Sequence, residues 1–209
     1  MMNLFNKTQE DFLEEKFYKP NIEHGDGFNS VSMFLHYQKC KKNPLGNPVP
    51  KQSVRSGILP RKNARVKHIT EIVNGKKVSV KYYPVSDLYI NSYQLAIVTN
   101  NNEHLAKQAM EIASKHDFLP FTKRICIEYL AFVYAPLKSM TKKEKNFIEQ
   151  GNYIWKDTQP DLIDNLPKLI FDALEKIIFD NDGKIFMMNK SIKVYGKIPG
   201  VFIKLKGLK

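Results

Sequence analysis

Five aspartates lie close together in a chain that is otherwise strongly basic. They are Asp161, Asp164, Asp172, Asp180 and Asp182. Carboxylate oxygens are the ligands that Mg²⁺ and other hard cations prefer, so clustered aspartates can hold a metal ion. The same residues could also have plainer roles, because acids at a helix N-terminus favour the helix dipole and acids in a loop are often simply solvated. The helix and loops that carry the aspartates help to decide between a metal site and these plainer roles.

The residues around the aspartates predict a helix that starts just after the first two. Asp164 or Asn165 can cap its N-terminus, and Pro167 falls in the first turn, where a missing N–H is harmless. The apolar stripe of this helix consists of Leu166, Ile170, Ala173, Leu174 and Ile177. The stripe predicts a core-packing face, with acids at the entrance of the helix and in the loop at its far end.

The charge of the chain is uneven. Among 209 residues, 33 are Lys or Arg and 21 are Asp or Glu, a formal net charge of +12. Residues 1–26 contain six acids and three lysines, so residues 27–209 hold 30 basic and 15 acidic residues, a net charge of +15. A polycationic surface attracts phosphate backbones, although anionic membranes and plain solubility also explain basic proteins. Nucleic acid is the partner that we expect.

Several other classes of protein are disfavoured by the sequence. No apolar run approaches the roughly 18 residues of a membrane span, and the N-terminus lacks a signal-peptide pattern, so we expect a cytoplasmic protein with no membrane partner. Cys40 and Cys126 fit neither a metal-ligand spacing nor a disulfide framework, and the histidines are scattered. No P-loop or dinucleotide glycine pattern is present, so we expect no nucleotide cofactor.

The N-terminal half predicts an arm, a strand, a basic loop and a hairpin. Residues 1–30 have no sustained period and predict an extension, followed by a domain over 31–209 that opens with a strand at 31–38. Residues 39–67 are rich in proline and lysine and predict a loop. Asn74-Gly75 between alternating β-branched segments predicts a hairpin, and two helical patterns fit between Asp87 and Asp117.

The C-terminal half predicts a long strand, a basic helix and two final strands. Residues 121–134 alternate as a strand, with one face formed by Ile125, Ile127, Tyr129 and Ala131. A short helix follows, with Thr141 as its N-cap and Gly151 just past its end. Beyond the aspartates, residues 184–196 and 200–207 alternate like paired strands with a turn near Pro199-Gly200.

Two basic segments are candidates for contact with a phosphate backbone. The first is the proline-containing loop and the second is the short helix after the long strand. The candidate residues are Lys51, Arg55, Arg61, Lys62, Lys142, Lys143 and Lys145. A solvated basic surface is the alternative.

The order of these motifs resembles the RusA-type Holliday junction resolvases, especially their phage-borne members. That family runs from a strand and a basic helix into a "KPDxDNLxKxxxDAL…DD" signature and ends with two strands. Here QPDLIDNLPKLIFDAL occupies 159–174 and DND occupies 180–182, and NPVPKQSVRSG at 47–57 is similar to the family's early "G-x-P-x-P-K-x-x-x-R" loop. The resemblance covers roughly residues 31–206.

The resemblance implies a Mg²⁺-dependent endonuclease, with Mn²⁺ as a substitute, that resolves branched DNA as a homodimer. Asp161, Asp164 and Asp182 would hold the ion and activate a water for attack on phosphorus, and Lys168 would stabilise the developing charge. The implied fold is a single α+β domain in which helices flank a mixed sheet of the hairpin, the long strand and the terminal strands. The three aspartates are expected to converge at one end of that sheet.

This chain departs from the family signature in two places. Leu162 and Ile163 separate Asp161 from Asp164, where the family has one residue, and the connection from the helix to the last acid is about one residue shorter. Asp180 therefore stays an alternative to Asp182, and Asp172 is interpreted as supporting or structural. The alternative function is a non-catalytic DNA-binding or accessory protein whose metal site is degenerate.

Overall fold

A computed structural model describes residues 19–25, 27–51, 55–60, 63–73, 76–82, 84, 88–93 and 95–208. The described chain is an α+β structure with a mixed sheet and three α-helices. The helices are α1 (Ala96–Lys115), α2 (Lys142–Glu149) and α3 (Asn165–Leu174). The strands are β1 (Asn21–Gly25), β2 (Phe28–Leu35), β3 (Arg55–Pro60), β4 (Lys67–Val73), β5 (Lys76–Tyr82), β6 (Leu88–Tyr93), β7 (Ile125–Tyr134), β8 (Ile154–Trp155), β9 (Ile185–Met188), β10 (Ser191–Tyr195) and β11 (Gly200–Leu208).

Strand β7 lies at the centre of a seven-stranded sheet. The strand order is β1-β2-β11-β7-β10-β8, and β9 also pairs with β7. Because β11 occupies one edge of β7 from Ile125 to Val133, β9 and β10 follow each other along the opposite edge, both parallel to β7. Eight of the ten residues of β7 are buried, as expected for an apolar strand covered on both faces. The predicted strand at 121–134 is therefore confirmed over 125–134.

The predicted pairing of the last two strands with each other is wrong. Strands β10 and β11 lie on opposite sides of β7, one parallel and the other antiparallel to it. Local alternation identifies strands but not their partners, and the strongly apolar β7 is the partner that gives both of them the larger buried surface. Residues 196–199 carry the chain from one side of β7 to the other.

The predicted face of β7 changes direction within the strand. Between Lys204 and Leu205 of β11 the register shifts, and Glu128 of β7 is left without a Cα partner. Such a bulge interrupts the regular alternation of side chains. Tyr129 and Ala131 consequently pack in a cluster with Phe34, Val133, Ile192, Val194 and Phe202, whereas Ile125 and Ile127 lie outside that cluster.

The sheet begins earlier in the chain than predicted. Strand β1 starts at Asn21 and pairs antiparallel with β2, and β2 runs from Phe28 to Leu35 rather than from 31 to 38. The predicted boundary between residues 30 and 31 thus falls inside β2. Burial explains the difference, because Ser30 through Leu35 are all buried against the sheet. Residues 1–18 of the predicted arm lie outside the described residues.

The described part of residues 52–95 forms a compact unit distinct from the unit that contains the described parts of residues 1–51 and 96–209. Strands β4 and β5 form the predicted hairpin, with Val73 opposite Lys76, although Asn74 and Gly75 themselves lie outside the described residues. The hairpin is a separate two-stranded sheet, so its predicted membership of the mixed sheet is wrong. Two further predictions are wrong in this unit. Residues 55–60, predicted as loop, form a strand, and they pair with β6 (88–93), where a helix was expected.

The helices agree closely with the sequence patterns. Thr141 caps α2 through a reciprocal capping box with Glu144, and Gly151 past its end has a φ of +87°, which favours glycine. Helix α1 is a single helix that includes the predicted segment 103–116 except its last residue. Helix α3 ends at Leu174, before Ile177 of the predicted stripe, and Lys176 has a left-handed φ of +67°. No helix in the described part of the chain is long and apolar enough to cross a membrane.

The contact between β11 and β2 is tight at Gly200, and this predicts a stability defect. A Cβ at this position would lie 2.6 Å from the carbonyl oxygen of Leu35 and 2.4 Å from the ring of Phe34. Gly200→Ala should therefore lower the free energy of unfolding by about 2 kcal/mol, the usual cost of overpacking. Urea unfolding measures this, with Gly183→Ala as control, where the closest atom is the side-chain oxygen of exposed Asn181. Equal stability of the two variants would contradict the prediction.

Candidate active site

Asp164 occupies the N-cap position of α3 but does not cap it. Its backbone is in the right-handed helical region (φ −100°, ψ −70°), and its side chain makes no capping hydrogen bond. The residue is exposed, so its carboxylate stands at the positive end of the helix dipole with its oxygens uncommitted to the backbone. The helix forgoes a bond that usually contributes about 1 kcal/mol, which leaves the carboxylate available for a ligand.

Asp161 lies three positions earlier, at the start of the turn that leads into α3. It is exposed, and Leu162 beside it is half-buried. Ile163, the other residue between the two aspartates, is 81% exposed. The additional residue relative to the family signature is thus accommodated in a surface turn. Within the described part of the chain, neither the Asp161 nor the Asp164 carboxylate has a hydrogen-bond or ion-pair partner.

Two lysines outside the predicted site hold the segment before Asp161. Lys193 of β10 donates from Nζ to the carbonyl oxygens of Thr158 (2.5 Å) and Pro160 (2.7 Å). Lys156 donates to the Thr158 carbonyl (3.3 Å) and to the hydroxyl of the same residue. The sequence gives little indication that Lys193 belongs to the site, because it has the pattern of an ordinary polar position in an alternating strand.

The electrostatic surroundings of Lys193 are mixed. Partial burial lowers the pKa of its ammonium, and the nearby positive charge of Lys156 lowers it further. The carboxylates of Asp161 and Asp157 oppose this shift of the Lys193 pKa. Lys156 is itself placed over the rings of Tyr134 (5.0 Å to the centroid) and Tyr195 (5.4 Å), where the ring quadrupoles attract an ammonium.

The last two aspartates differ in their surroundings. Asp180 forms an ion pair with Lys184 (2.5 Å), and this hydrogen bond holds the pKa of the Asp180 carboxyl below its usual value. Asp182 begins the 3₁₀ turn Asp182–Lys184 just before β9, and its side chain is exposed. The Asp182 carboxylate has no hydrogen-bond partner among the described residues. Both oxygens of Asp182 are therefore free among the described residues, whereas Asp180 has one engaged oxygen and one, Oδ1, that is buried without a hydrogen-bond partner. Asp180 thus stays an alternative to Asp182.

The three predicted metal ligands do not form a closed group of carboxylates. Among the described residues, no three His, Cys, Asp or Glu side chains are close enough together to hold a metal ion. The segments of Asp161 and Asp182 both lie on the β10 side of β7, but at different positions along it. Strand β9, which Asp182 precedes, pairs with β7 from Ile125 to Ile127, whereas Lys193, whose ammonium binds the Pro160 carbonyl, lies opposite Phe132. Convergence of the three aspartates at one end of the sheet therefore stays a prediction. Lys168 is exposed on the first turn of α3, one turn after Asp164.

Lys51 fastens the proline-containing loop to α3. Its N–H donates to the carbonyl of Asn165 (2.8 Å), and its ammonium pairs with Asp172, both side chains being half-buried. Earlier in the loop, the side-chain oxygen of Asn47 accepts a hydrogen bond from the N–H of Ala135, just past β7 (2.7 Å). The ammonium of Lys51, predicted to bind phosphate, thus already has a carboxylate partner in Asp172.

The other predicted DNA contacts are distributed over the chain. Lys142 and Lys143 are exposed at the start of α2, whereas the ammonium of Lys145 donates to the carbonyl of Lys138 (2.8 Å). Arg55 begins β3, and Arg61 and Lys62 lie outside the described residues. Among the described candidates, Lys142 and Lys143 are exposed, whereas Lys51 and Lys145 have protein partners. Contact of these residues with a phosphate backbone stays a prediction.

Comparison with known proteins identifies the family. Residues 89–206, more than half of the chain, match the family model described as endodeoxyribonuclease RusA. The chain therefore belongs to the RusA endodeoxyribonuclease family, whose members resolve Holliday junctions and are generally dependent on a divalent metal. The matched region runs from β6 to β11 and contains all five aspartates. No curated protein matches the chain.

The pairing of Lys51 with Asp172 predicts an energetic coupling between the loop and α3. In a double-mutant cycle of Lys51→Met and Asp172→Asn, the coupling free energy should be about 1 kcal/mol. Either single substitution already removes the half-buried, charge-assisted hydrogen bond, so the double variant loses less stability than the two single variants added together. Urea unfolding of the four proteins measures it. The pair Lys197→Met and Glu149→Gln, which are 3.9 Å apart and well exposed, should give a smaller coupling. Additive effects at the first pair would show that its contact does not stabilise the fold.

Proposed function

We propose that this protein is a Mg²⁺-dependent, structure-selective endodeoxyribonuclease that cuts four-way DNA junctions. Family membership supports phosphodiester hydrolysis of branched DNA. The observation that carries the proposal for this chain is the pair of exposed carboxylates, Asp161 and Asp164, at the entrance of α3 without a protein partner among the described residues. A helix that leaves its N-cap carboxylate unused has an oxygen ligand ready for a cation.

The donor set fits a hard divalent cation. Mg²⁺ is usually bound by one or two protein carboxylates together with waters and substrate phosphates, rather than by a complete protein cage. Asp161 and Asp164 would hold the ion, and Asp182 would contribute a third carboxylate from the segment before β9. When bound, the ion supplies an activated water and neutralises charge on the phosphate; Mn²⁺ can substitute for it.

The other residues of this site position and neutralise the substrate. Lys168 stands on the exposed first turn of α3, close enough in sequence to Asp164 to share one face of the helix. Its ammonium would stabilise negative charge on the scissile phosphate or on the leaving oxygen. Lys142 and Lys143 on α2, with Arg55, Arg61 and Lys62, would bind the flanking backbone. Here Lys51 has a positioning role through Asp172.

A homodimer, which the family resemblance implies, would match the symmetry of the substrate. A four-way junction presents two equivalent strands, and two copies of one active site related by a two-fold axis can cut both. We therefore propose that the protein acts as a homodimer. Sedimentation of the protein with and without a junction measures the oligomeric state.

A non-catalytic DNA-binding protein is the competing proposal. It is favoured by the finding that no three acidic or histidine side chains are grouped among the described residues, and by the extra residue between Asp161 and Asp164. Divalent-ion titration separates the two, because a nuclease site binds Mg²⁺ or Mn²⁺ and a degenerate site does not.

Asp164→Asn tests the nuclease proposal. The change preserves shape but removes one anionic oxygen ligand, so nicking of a synthetic four-way junction in Mg²⁺ should fall by at least about 10³-fold. Binding to the same junction in EDTA should persist or tighten, because a charge that repels phosphate is removed. Both quantities are measured on one substrate, by strand nicking and by gel shift.

The matched control is Asp117→Asn. Asp117 is exposed and has a φ of +48°, which asparagine also accepts readily, so the same charge change is made away from the site. This variant should nick at the rate of the parent protein. If the parent protein binds junctions but never nicks them, the accessory proposal is correct; if Asp164→Asn nicks normally, Asp164 is not a metal ligand.

Salt dependence tests the proposed phosphate contacts. Each phosphate contact contributes about 0.9 to the slope of log K against log salt on duplex DNA. Replacing Lys142 and Lys143 together by Gln should therefore reduce the slope by about two, measured by fluorescence anisotropy with a labelled junction. Lys115→Gln, in the last turn of α1, should leave the slope unchanged. A slope that is flat in the parent protein would argue against a nucleic-acid partner.

A further inference from the structure

The segment between β8 and α3 depends on side chains for its conformation. Residues 156–161 have no helical or strand structure, and their backbone carbonyls need hydrogen-bond donors wherever water is displaced. Two of those carbonyls, of Thr158 and Pro160, are bound by a single ammonium, Lys193 of β10 (2.5 and 2.7 Å). One side chain therefore connects this segment to the sheet at two points.

The contact at Pro160 acts directly on Asp161. A peptide unit is planar, so the carbonyl oxygen of Pro160 lies in one plane with the backbone nitrogen and Cα of Asp161. Holding that oxygen therefore fixes the position of the Asp161 Cα and leaves only rotation about its N–Cα bond, which restricts the directions in which the Asp161 side chain can leave the backbone. Asp161 itself has no hydrogen-bond or ion-pair partner in the described part of the chain, so its placement depends on such backbone contacts.

Lys193 is in turn held in place by the sheet. It lies opposite Phe132 in the parallel ladder of β10 with β7, between the buried residues Ile192 and Val194. Its carbonyl accepts a hydrogen bond from the N–H of Lys156 (2.9 Å), which joins β10 to the start of the same segment. Lys193 thus connects the central strands of the sheet to the segment that precedes Asp161.

Lys156 supports the same segment from its other side. Its ammonium rests over the rings of Tyr134 and Tyr195 and donates to the Thr158 carbonyl (3.3 Å). The Thr158 carbonyl is therefore bound by two ammonium groups, whereas in the described part of the chain the Pro160 carbonyl is bound by Lys193 alone. Loss of Lys193 would release the peptide next to Asp161, and loss of Lys156 would not.

We propose that Lys193 is a positioning residue for the metal site and holds Asp161 in the orientation that binds the cation. The proposal rests on the proposed nuclease function and deepens it. Residues that orient a metal ligand typically change metal affinity or activity by 10- to 100-fold when they are removed. Lys193 acts here through the backbone of Asp161, without touching DNA or the ion.

The experiment uses the single tryptophan of the chain as a reporter that is independent of activity. Trp155 pairs with Val194, the neighbour of Lys193, and directly precedes Lys156. Paramagnetic Mn²⁺ bound at the site should broaden the NMR signal of the Trp155 indole N–H. Titration of the full-length protein with Mn²⁺, without DNA, gives the midpoint of metal binding.

Lys193→Met should raise the Mn²⁺ midpoint by at least about 10-fold. The Mg²⁺ concentration needed for half-maximal nicking should rise by a similar factor, while the rate at saturating Mg²⁺ is recovered in large part. Lys193→Arg keeps several N–H donors, so its Mn²⁺ midpoint should lie between those of the parent protein and Lys193→Met. Lys197→Met, an equal change of charge at an exposed lysine just past β10, should leave both midpoints unchanged.

The results separate the positioning role from a direct phosphate contact and from the function itself. If Lys193→Met leaves the Mn²⁺ midpoint unchanged but reduces the salt slope of junction binding by about one, Lys193 binds DNA and the proposal is overturned. If the parent protein neither binds Mn²⁺ nor nicks junctions, the nuclease function fails and the positioning role fails with it. If the parent does both and Lys193→Met matches it, only the positioning role fails.

A folding defect would be detected by thermal unfolding of each variant. Should Lys193→Met not fold, Lys193→Arg and Lys156→Met decide the question in its place. The proposal then requires that Lys193→Arg shift the Mn²⁺ midpoint upward and that Lys156→Met shift it less. The reverse order would assign the role to Lys156 and overturn the proposal for Lys193.

Discussion

The burial of one strand, β7, is the constraint on which the rest of the sheet depends. Its residues are apolar on both faces, so the chain must cover both faces and satisfy both hydrogen-bonding edges. Strand β11 does so on one edge, and β9 followed by β10 does so on the other. This arrangement places the C-terminal strands on either side of β7, and it fixes the ends of β8 and β9, next to which Asp161 and Asp182 lie.

The candidate active site uses the ends of these elements rather than their interiors. The apolar side of α3 packs in the core through residues such as Leu166, Ile170 and Leu174, which fixes the helix. Asp164 then stands at the helix N-terminus, where its carboxylate has no partner among the residues that the structure describes, at some expense in helix stability. Rigid elements with ligands at their ends are a usual way to place reactive groups precisely.

Lysines serve two separate purposes in this protein. Lys142 and Lys143 are exposed and add to the positive surface that family membership connects with DNA. Lys51 and Lys193 are half-buried and are committed to Asp172 and to backbone carbonyls, respectively. A count of basic residues therefore overstates the number available for phosphate contact. The committed lysines join the loop and the acidic turn to α3 and β10.

Local sequence determined the elements whose signals are local. The capping box of α2 at Thr141, the two-residue hairpin connection after Val73 and the entrance of α3 at Asp164 each follow from residues within a few positions of one another. The aspartate signature also identified the family, because the order of its residues and of the elements around it is itself the signal.

Tertiary structure alone decided which strands pair and which lysines are free. Residues 55–60 and 88–93 form strands only because each provides the other's partner, and β10 and β11 are separated because β7 offers both a larger buried surface. Lys193 reaches Pro160, and Lys51 reaches Asp172, across 33 and 121 positions of sequence. Contacts of that separation leave no periodic trace in the sequence, since periodicity records only which face of an element is buried.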